Sequence, residues 1–206
     1  MTDTYRTVAG RGQASFEVRG SEFIGHVVPV ESVEETEAFI SEVCAEFEDA
    51  THNVPAYRVR RGELLCEYES DDGEPSGSAG KPALNVLQGR ELENVAVVVT
   101  RYYGGTNLGV GGLVRSYSRA VKDAVDEAGV VEERPHERIS VVVDYDDSGT
   151  VRGVIESEEL EFEAEYEERV SFEVRVSVAD AAAFRDRLRS ATSGRVEFEE
   201  TSPGET

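Results

Sequence analysis

The chain contains only two cysteines, Cys44 and Cys66, among its 206 residues. Two thiols give no disulfide framework and cannot hold a zinc ion by themselves. Both fall at apolar positions of an expected helix and an expected strand, so they read as buried thiols. The three histidines, His26, His52 and His136, lie far apart, and none stands in H-x-x-x-H spacing. No apolar run approaches the roughly 18 residues that a membrane helix needs. The opening residues, MTDTYRTVAGRG, lack the apolar core of a secretory signal, so a cytoplasmic location is expected. Lysine is nearly missing as well. Only Lys81 and Lys122 are lysine, and every other cation is arginine.

What the chain has in excess is negative charge. Forty-three Asp and Glu stand against 21 Lys and Arg, for a formal net charge of −22. The glutamates alternate with apolar residues inside expected strands, which places them on solvated faces of folded structure. High net charge is tolerated where salt screens self-repulsion, so a salt-rich cytoplasm is the expected setting. Against this background one stretch inverts the sign. From Pro75 to Lys122 there are six basic residues (Lys81, Arg90, Arg101, Arg115, Arg119, Lys122) and two acidic ones (Glu91, Glu93). Five glycines fall between Gly104 and Gly112 in the same stretch.

Taken in order, Phe16 to Val30 reads as strands around a Gly20-Ser21 turn. Ser32 and Glu35 fit a capping box before a helix whose face is Ile40, Val43, Cys44 and Phe47. Tyr57–Arg60 and Glu63–Glu69 read as a hairpin with one covered face. A short helix is expected from Pro82 to about Arg90. Val95–Thr100 is β-branched and almost wholly apolar, a strand covered on both faces. The glycine loop follows. Leu113 then opens a helix burying Leu113, Tyr117, Val121 and Ala124, with Arg115, Arg119 and Lys122 along another face. Gly129 suits its end, and Glu132–Pro135 reads as a linker. The remainder gives strand, helix, two strands, helix, strand. Its helices start at Asp147 or Ser148 and at Asp180, and its buried positions include Ala191. That is the ferredoxin-like βαββαβ order. The expected class is α+β, with domains at 1–134 and 135–206.

Several chemistries fail on spacing. After Gly109-Val110-Gly111, a dinucleotide fingerprint needs glycine where Val114 stands. Gly104 and Gly109 have Walker spacing, but Val110 replaces the lysine, and Gly80-Lys81 precedes Pro82 rather than Ser or Thr. Ser76 and Ser78 lack a nucleophile elbow. Asp71, Asp72 and Glu74 together suit metal binding or acid–base work, yet in so acidic a chain a solvated turn with side chain-to-backbone bonds is the better account of them. No catalytic residue, metal ligand or cofactor is assigned. The residues placed in an RNA- or anion-binding surface are Lys81, Arg101, Tyr102, Tyr103, Gly104, Gly105, Gly109, Gly111, Gly112, Arg115, Arg119 and Lys122. Of the two tyrosines, one is expected to pack inward and the other to stack on bases.

The stretches SDDGEPSGSAGKP and VVVTRYYGGTNLGVGGLVRSYS strongly resemble the signature of the IMPACT/YigZ family. The first contributes a motif loop of Asp71, Asp72, Gly73, Glu74, Pro75, Ser76, Gly77 and Gly80. Ser21-Glu22-Phe23-Ile24 and His52-Asn53-Val54-Pro55-Ala56-Tyr57 resemble two weaker upstream motifs. The resemblance implies a fold like domain 2 of ribosomal protein S5, followed by a ferredoxin-like domain in the two-domain prokaryotic layout. It implies a part in translational control and supplies no catalytic residue. The expected function is non-enzymatic RNA or ribosome binding, with a translation-factor protein as a possible partner and no membrane. Two rivals stand beside it. One is an enzyme on a phosphorylated small molecule at the glycine loop, and the other is an adaptor docking proteins on its C-terminal domain.

Overall fold

The computed structural model of the protein describes residues 4–61 and 64–199. The chain divides after Glu133 into two compact units, and the larger spans 5–133. Its elements are β1 (Tyr5–Val8), β2 (Gly12–Val18), β3 (Ser21–Pro29), α1 (Val33–Glu46), β4 (His52–Arg61), β5 (Leu64–Glu69), α2 (Gly80–Gly89), β6 (Val95–Tyr102), α3 (Gly109–Ala128) and β7 (Val130–Glu133). Five strands form one antiparallel sheet in the order β2-β3-β6-β4-β5. β6 lies at its centre. Val95, Val97 and Val99 face the core beneath α2 and α3, and Ala96 and Val98 face α1. This is the doubly covered strand that its apolar run predicts. Each fully buried valine contributes roughly 1.5–3 kcal/mol, so β6 anchors both cores.

α1 begins as expected, with Ser32 Oγ accepting from the Glu35 N–H at 3.1 Å. The return bond differs: Glu35 reaches the Glu31 N–H at 2.8 Å rather than that of Ser32. The buried residues of α1 are Thr36, Phe39 and Val43, with Ile40, Cys44 and Phe47 half-covered beside them. Cys66 is also only half-covered, so neither thiol is fully buried. β4 starts at His52, five residues before the expected hairpin arm. Pro55 sits inside it without breaking the ladder. Its carbonyl accepts from Ser70 on the β5 side, and its missing N–H falls on that same side, past the last paired residue Glu69. β5 does not have the covered face expected of it, since Leu64 and Tyr68 remain 72% and 46% exposed. Gly62 and Glu63, part of the expected hairpin, lie outside the described residues.

α3 starts at Gly109, four residues before Leu113, so Gly111 and Gly112 belong to the helix rather than to the loop. Its buried face is the expected one, and Gly129 ends it. Glu132 and Glu133 are not linker. They end β7, which pairs with β1 through Arg6 and Glu132.

The second unit holds β8 (His136–Val143), α4 (Tyr145–Ser157), β9 (Phe162–Tyr166), β10 (Val170–Ser177), α5 (Ala181–Ala191) and β11 (Glu197–Glu199). The sheet order is β11-β8-β10-β9, all antiparallel. This is the ferredoxin-like arrangement that the element order predicts. α4 is preceded by Asp144, not capped by Asp147 or Ser148. Asp147 lies in its first turn, and both its oxygens meet Arg195 at 2.7 Å. Asp180 precedes α5 but makes no side-chain cap bond. Ala191 is exposed, and Phe184 and Leu188 carry the inward face with Ala181. Among the described residues no helix is long and apolar enough to cross a membrane.

Candidate functional site

The ends of β3, β4 and β6 converge where the motif loop and the glycine loop leave the larger unit's sheet. β4 and β6 place His52 opposite Arg101. Arg101 was expected on an open surface, but it is 5% exposed. Its Nη1 donates to Glu74 Oε1 at 2.5 Å, and its Nη2 lies 3.4 Å from Ser21 Oγ. The guanidinium carbon lies 5.4 Å from the Phe23 ring centre and 5.5 Å from that of Tyr103. The reason for burial is local. Arg101 follows Val99 and Thr100 in a strand covered on both faces, and its position points into the core cluster. A cation there is tolerable only when paired, and Glu74 supplies the pair.

Glu74 is accordingly not part of a solvated turn. It is 8% exposed and also accepts from the Tyr117 hydroxyl at 2.7 Å. Burial, and then the bond to Glu74, hold the Tyr117 phenol far above its ordinary range. His52 closes the cluster. Its Nδ1 faces the Asp72 carbonyl at 2.6 Å. A carbonyl can only accept, so Nδ1 carries a proton. Its Nε2 lies 3.8 Å from Glu74 Oε1. Both ring nitrogens therefore face groups of the motif loop.

The other two carboxylates of the motif loop behave as the turn reading predicts. Asp71 accepts the N–H groups of Gly77, Ala79 and Gly80 at 2.7–3.0 Å. Burial alone would raise its pKa, but the three donors outweigh burial and hold it below the usual carboxylate range. The start of α2 thus already holds an anion of the chain's own. Asp72 accepts from the Asn53 N–H at 2.7 Å. Among the described residues no group of three His, Cys, Asp or Glu could hold a metal ion.

The glycine loop is fixed by contact with the β2–β3 turn. A Cβ on Gly104 would lie 1.9 Å from the Gly20 carbonyl carbon, so only glycine allows this approach. Ser21 Oγ accepts the Gly104 N–H at 3.1 Å. Gly104, Gly105, Gly109 and Gly111 are exposed, and Gly112 is half-covered. Neither tyrosine packs inward. Tyr103, past the strand end, is 46% exposed, with its hydroxyl 3.1 Å from Asn107 Oδ1. Tyr102 is half-buried and donates to Asp49 at 2.7 Å. That bond raises its phenol, with further contributions from burial and from the charges of Asp49 and Glu22. Tyr102 thus looks onto an acidic edge and Tyr103 does not.

Lys81, Arg115, Arg119 and Lys122 are exposed as expected. Arg119 is partly engaged, meeting Asp123 at 3.1 Å and lying 4.0 Å above the Phe16 ring. In the motif loop Gly73, Pro75, Ser76 and Gly77 are exposed, and Gly80 is buried. Sequence reasoning missed His52, Ser21 and Tyr117 as members of this cluster. The first two stood in the weaker upstream motifs. Tyr117 was placed only as core, and its polar end carried no separate signal.

Comparison with known proteins follows the two units. A family model described as the Impact N-terminal domain matches residues 19–125, and one described as a domain of unknown function, DUF1949, matches residues 141–195. The IMPACT family member YvyE of Bacillus subtilis is 35% identical over 97% of this chain and 92% of its own length. The IMPACT family member YigZ of Escherichia coli is 30% identical over 88% of this chain and 90% of its own. A solved structure described only as a hypothetical protein superposes over 99% of this chain and 100% of that one, with a TM-score of 0.69 and 28% identity.

Proposed function

This chain belongs to the IMPACT family, and on that premise we propose that it regulates translation in the cytoplasm by binding RNA or a ribosomal surface at the loop end of its larger sheet. One observation carries the reading. In a protein of net charge −22, two carboxylates of the motif loop are engaged from within: Asp71 by three backbone N–H groups and Glu74 by Arg101. Residues 104–107 and 109–111 stay exposed beside Arg115, which makes no ion pair among the described residues. Exposed amides, a free arginine and the Tyr103 ring suit a phosphodiester strand with stacked bases.

The geometry weighs against both rivals. An enzyme on a phosphorylated molecule would use the glycine loop with Asp71, Asp72 and Glu74, but Glu74 is engaged by Arg101 and Tyr117, Asp71 by three backbone N–H groups and Asp72 by the Asn53 N–H. An adaptor would need a contiguous apolar patch on the second unit. Its large exposed apolar residues are Tyr145, Tyr166 and Val178. The two tyrosines lie at the Val170 end of β10, and Val178 lies beyond the other end.

The test is co-sedimentation with ribosomes and with RNA at low and at molar salt. The Arg115→Gln/Lys122→Gln variant keeps helix propensity and removes two charges. It should stay folded and lose association. Undiminished association would move the interface away from α3.

A further inference from the structure

The turn between β2 and β3 consists of Arg19 and Gly20, with Val18 paired to Ser21. Both turn residues have positive φ, +50° for Arg19 and +82° for Gly20. This is the geometry of a type I′ turn, whose first central position favours asparagine, aspartate or glycine. Arginine there carries backbone strain, because its Cβ crowds the following carbonyl. A residue that works against its own turn marks a place where folding is not the sole requirement.

The side chain gives the second observation. Arg19 is exposed, and no carboxylate among the described residues pairs with it. Acidic residues outnumber basic ones twofold, and Arg19 shares its lack of a partner with a minority of the basic side chains, Arg61 and Arg115 among them. Arg11, Arg58, Arg60, Arg90 and Arg187 each hold a carboxylate within 2.7 Å.

The third observation is position. The turn is locked to the glycine loop by the Gly20–Gly104 contact and by the bond from the Gly104 N–H to Ser21 Oγ. Arg19 therefore adjoins the first residue of the exposed loop, and Arg115 stands in the second turn of the helix that ends it. Building on the RNA-binding reading above, we infer that Arg19 is a second phosphate-binding residue of this site. An RNA strand crossing the exposed loop is gripped at both ends, by Arg19 on the turn and by Arg115 on α3.

The test uses the full chain, a fluorescein-labelled single-stranded oligouridine, and a titration repeated across a salt series. Arg19→Asn suits the turn better than arginine, so the thermal midpoint should hold or rise. Affinity should fall about tenfold, as for loss of one charge-assisted bond. The slope of log K against log salt should become shallower by about 0.7, the share of one phosphate on a single strand. Arg19→Lys should restore the slope. If Arg115→Gln weakens binding while Arg19→Asn leaves affinity and slope unchanged, the inference about Arg19 is overturned and the loop-end site stands. If Arg19→Asn lowers stability and affinity together, Arg19 is a structural residue and the inference is overturned. If the unmodified chain does not bind the oligonucleotide, both readings fall.

Discussion

Arg101 and Glu74 stand 27 residues apart in sequence and meet at 2.5 Å, with side chains only 6% and 3% exposed. No other ion pair among the described residues is so deeply buried. The pair ties the motif loop to the central strand, and the Tyr117 hydroxyl ties both to α3. Through Ser21, Arg101 also touches the turn that holds the glycine loop. A charge expected to face a ligand instead fixes the frame on which the exposed residues stand.

Removing one member of that pair leaves the other charge buried and uncompensated, which costs about 3–5 kcal/mol. Glu74→Gln keeps the shape and removes the charge. Urea denaturation should show a loss of that size. The double variant Glu74→Leu/Arg101→Met should recover part of it, because no buried charge is left unpaired, although the Tyr117 hydroxyl still loses its acceptor. A Glu74→Gln variant within about 1 kcal/mol of the parent would mean that Arg101 reaches solvent when its partner is removed.

The parts of the fold that were legible in the sequence are those fixed by local pattern. The unbroken Val95–Thr100 run announces a covered strand, and α3 shows its face through Leu113, Tyr117, Val121 and Ala124. The alternating strands of the second unit give its topology directly. What was not legible depends on distant partners. Four-residue strands such as β1 and β7 carry no periodicity, and they exist because Tyr5 to Val8 find Val130 to Glu133. Glu74 looks like a turn residue among Asp, Gly, Pro and Ser neighbours. Its burial is decided by Arg101 and Tyr117, on elements that its own neighbourhood does not describe. Helix starts at Gly109 and Tyr145 were missed because neither is marked by a side-chain cap.

His26 makes stability depend on pH. It is 7% exposed, packed 4.9 Å from the Phe47 ring centre, and burial pushes its pKa from 6.5 down to about 4. The folded state therefore favours the neutral ring. Its contribution is complete above pH 6.5 and is lost as pH falls from there toward 4, because the unfolded chain takes the proton first. The span corresponds to about 3 kcal/mol at most. Urea midpoints at pH 7 and pH 4.5 should separate for the parent and converge for His26→Phe, with the shared carboxylate contribution remaining. An equal drop in both proteins would remove His26 as the cause.

The boundary between the units coincides with the end of β7, after Glu133. Since β7 pairs with β1, a first piece must run through Glu133 to keep that ladder. Pieces 1–133 and 134–206 each carry a core of their own, one around β6 and one around Phe172 and Phe184. Both should fold separately and give dispersed amide spectra. A first piece cut at Gly129 should lose protection at Tyr5–Val8 in hydrogen exchange, although the sheet persists. If it keeps full protection there, β7 is not what orders β1.

Salt should act on this protein in two opposing ways, and the balance can be argued. Most of its ion pairs are exposed, such as Arg11–Glu42 and Arg152–Glu156. Each such pair contributes only about 0–1 kcal/mol, and salt weakens it. The net charge of −22 repels across the whole molecule, and that repulsion is long-ranged at a Debye length of about 30 Å in 0.01 M salt. At 1 M the length falls to about 3 Å, which silences distant repulsion while contact pairs at 2.7 Å keep part of their attraction. Repulsion should therefore be the larger loss, and the thermal midpoint should rise between 0.01 M and 1 M KCl. Sodium chloride should give the same rise if screening is the cause. A midpoint that is flat or falls over this range would remove adaptation to a salt-rich cytoplasm as the reason for the acidic composition.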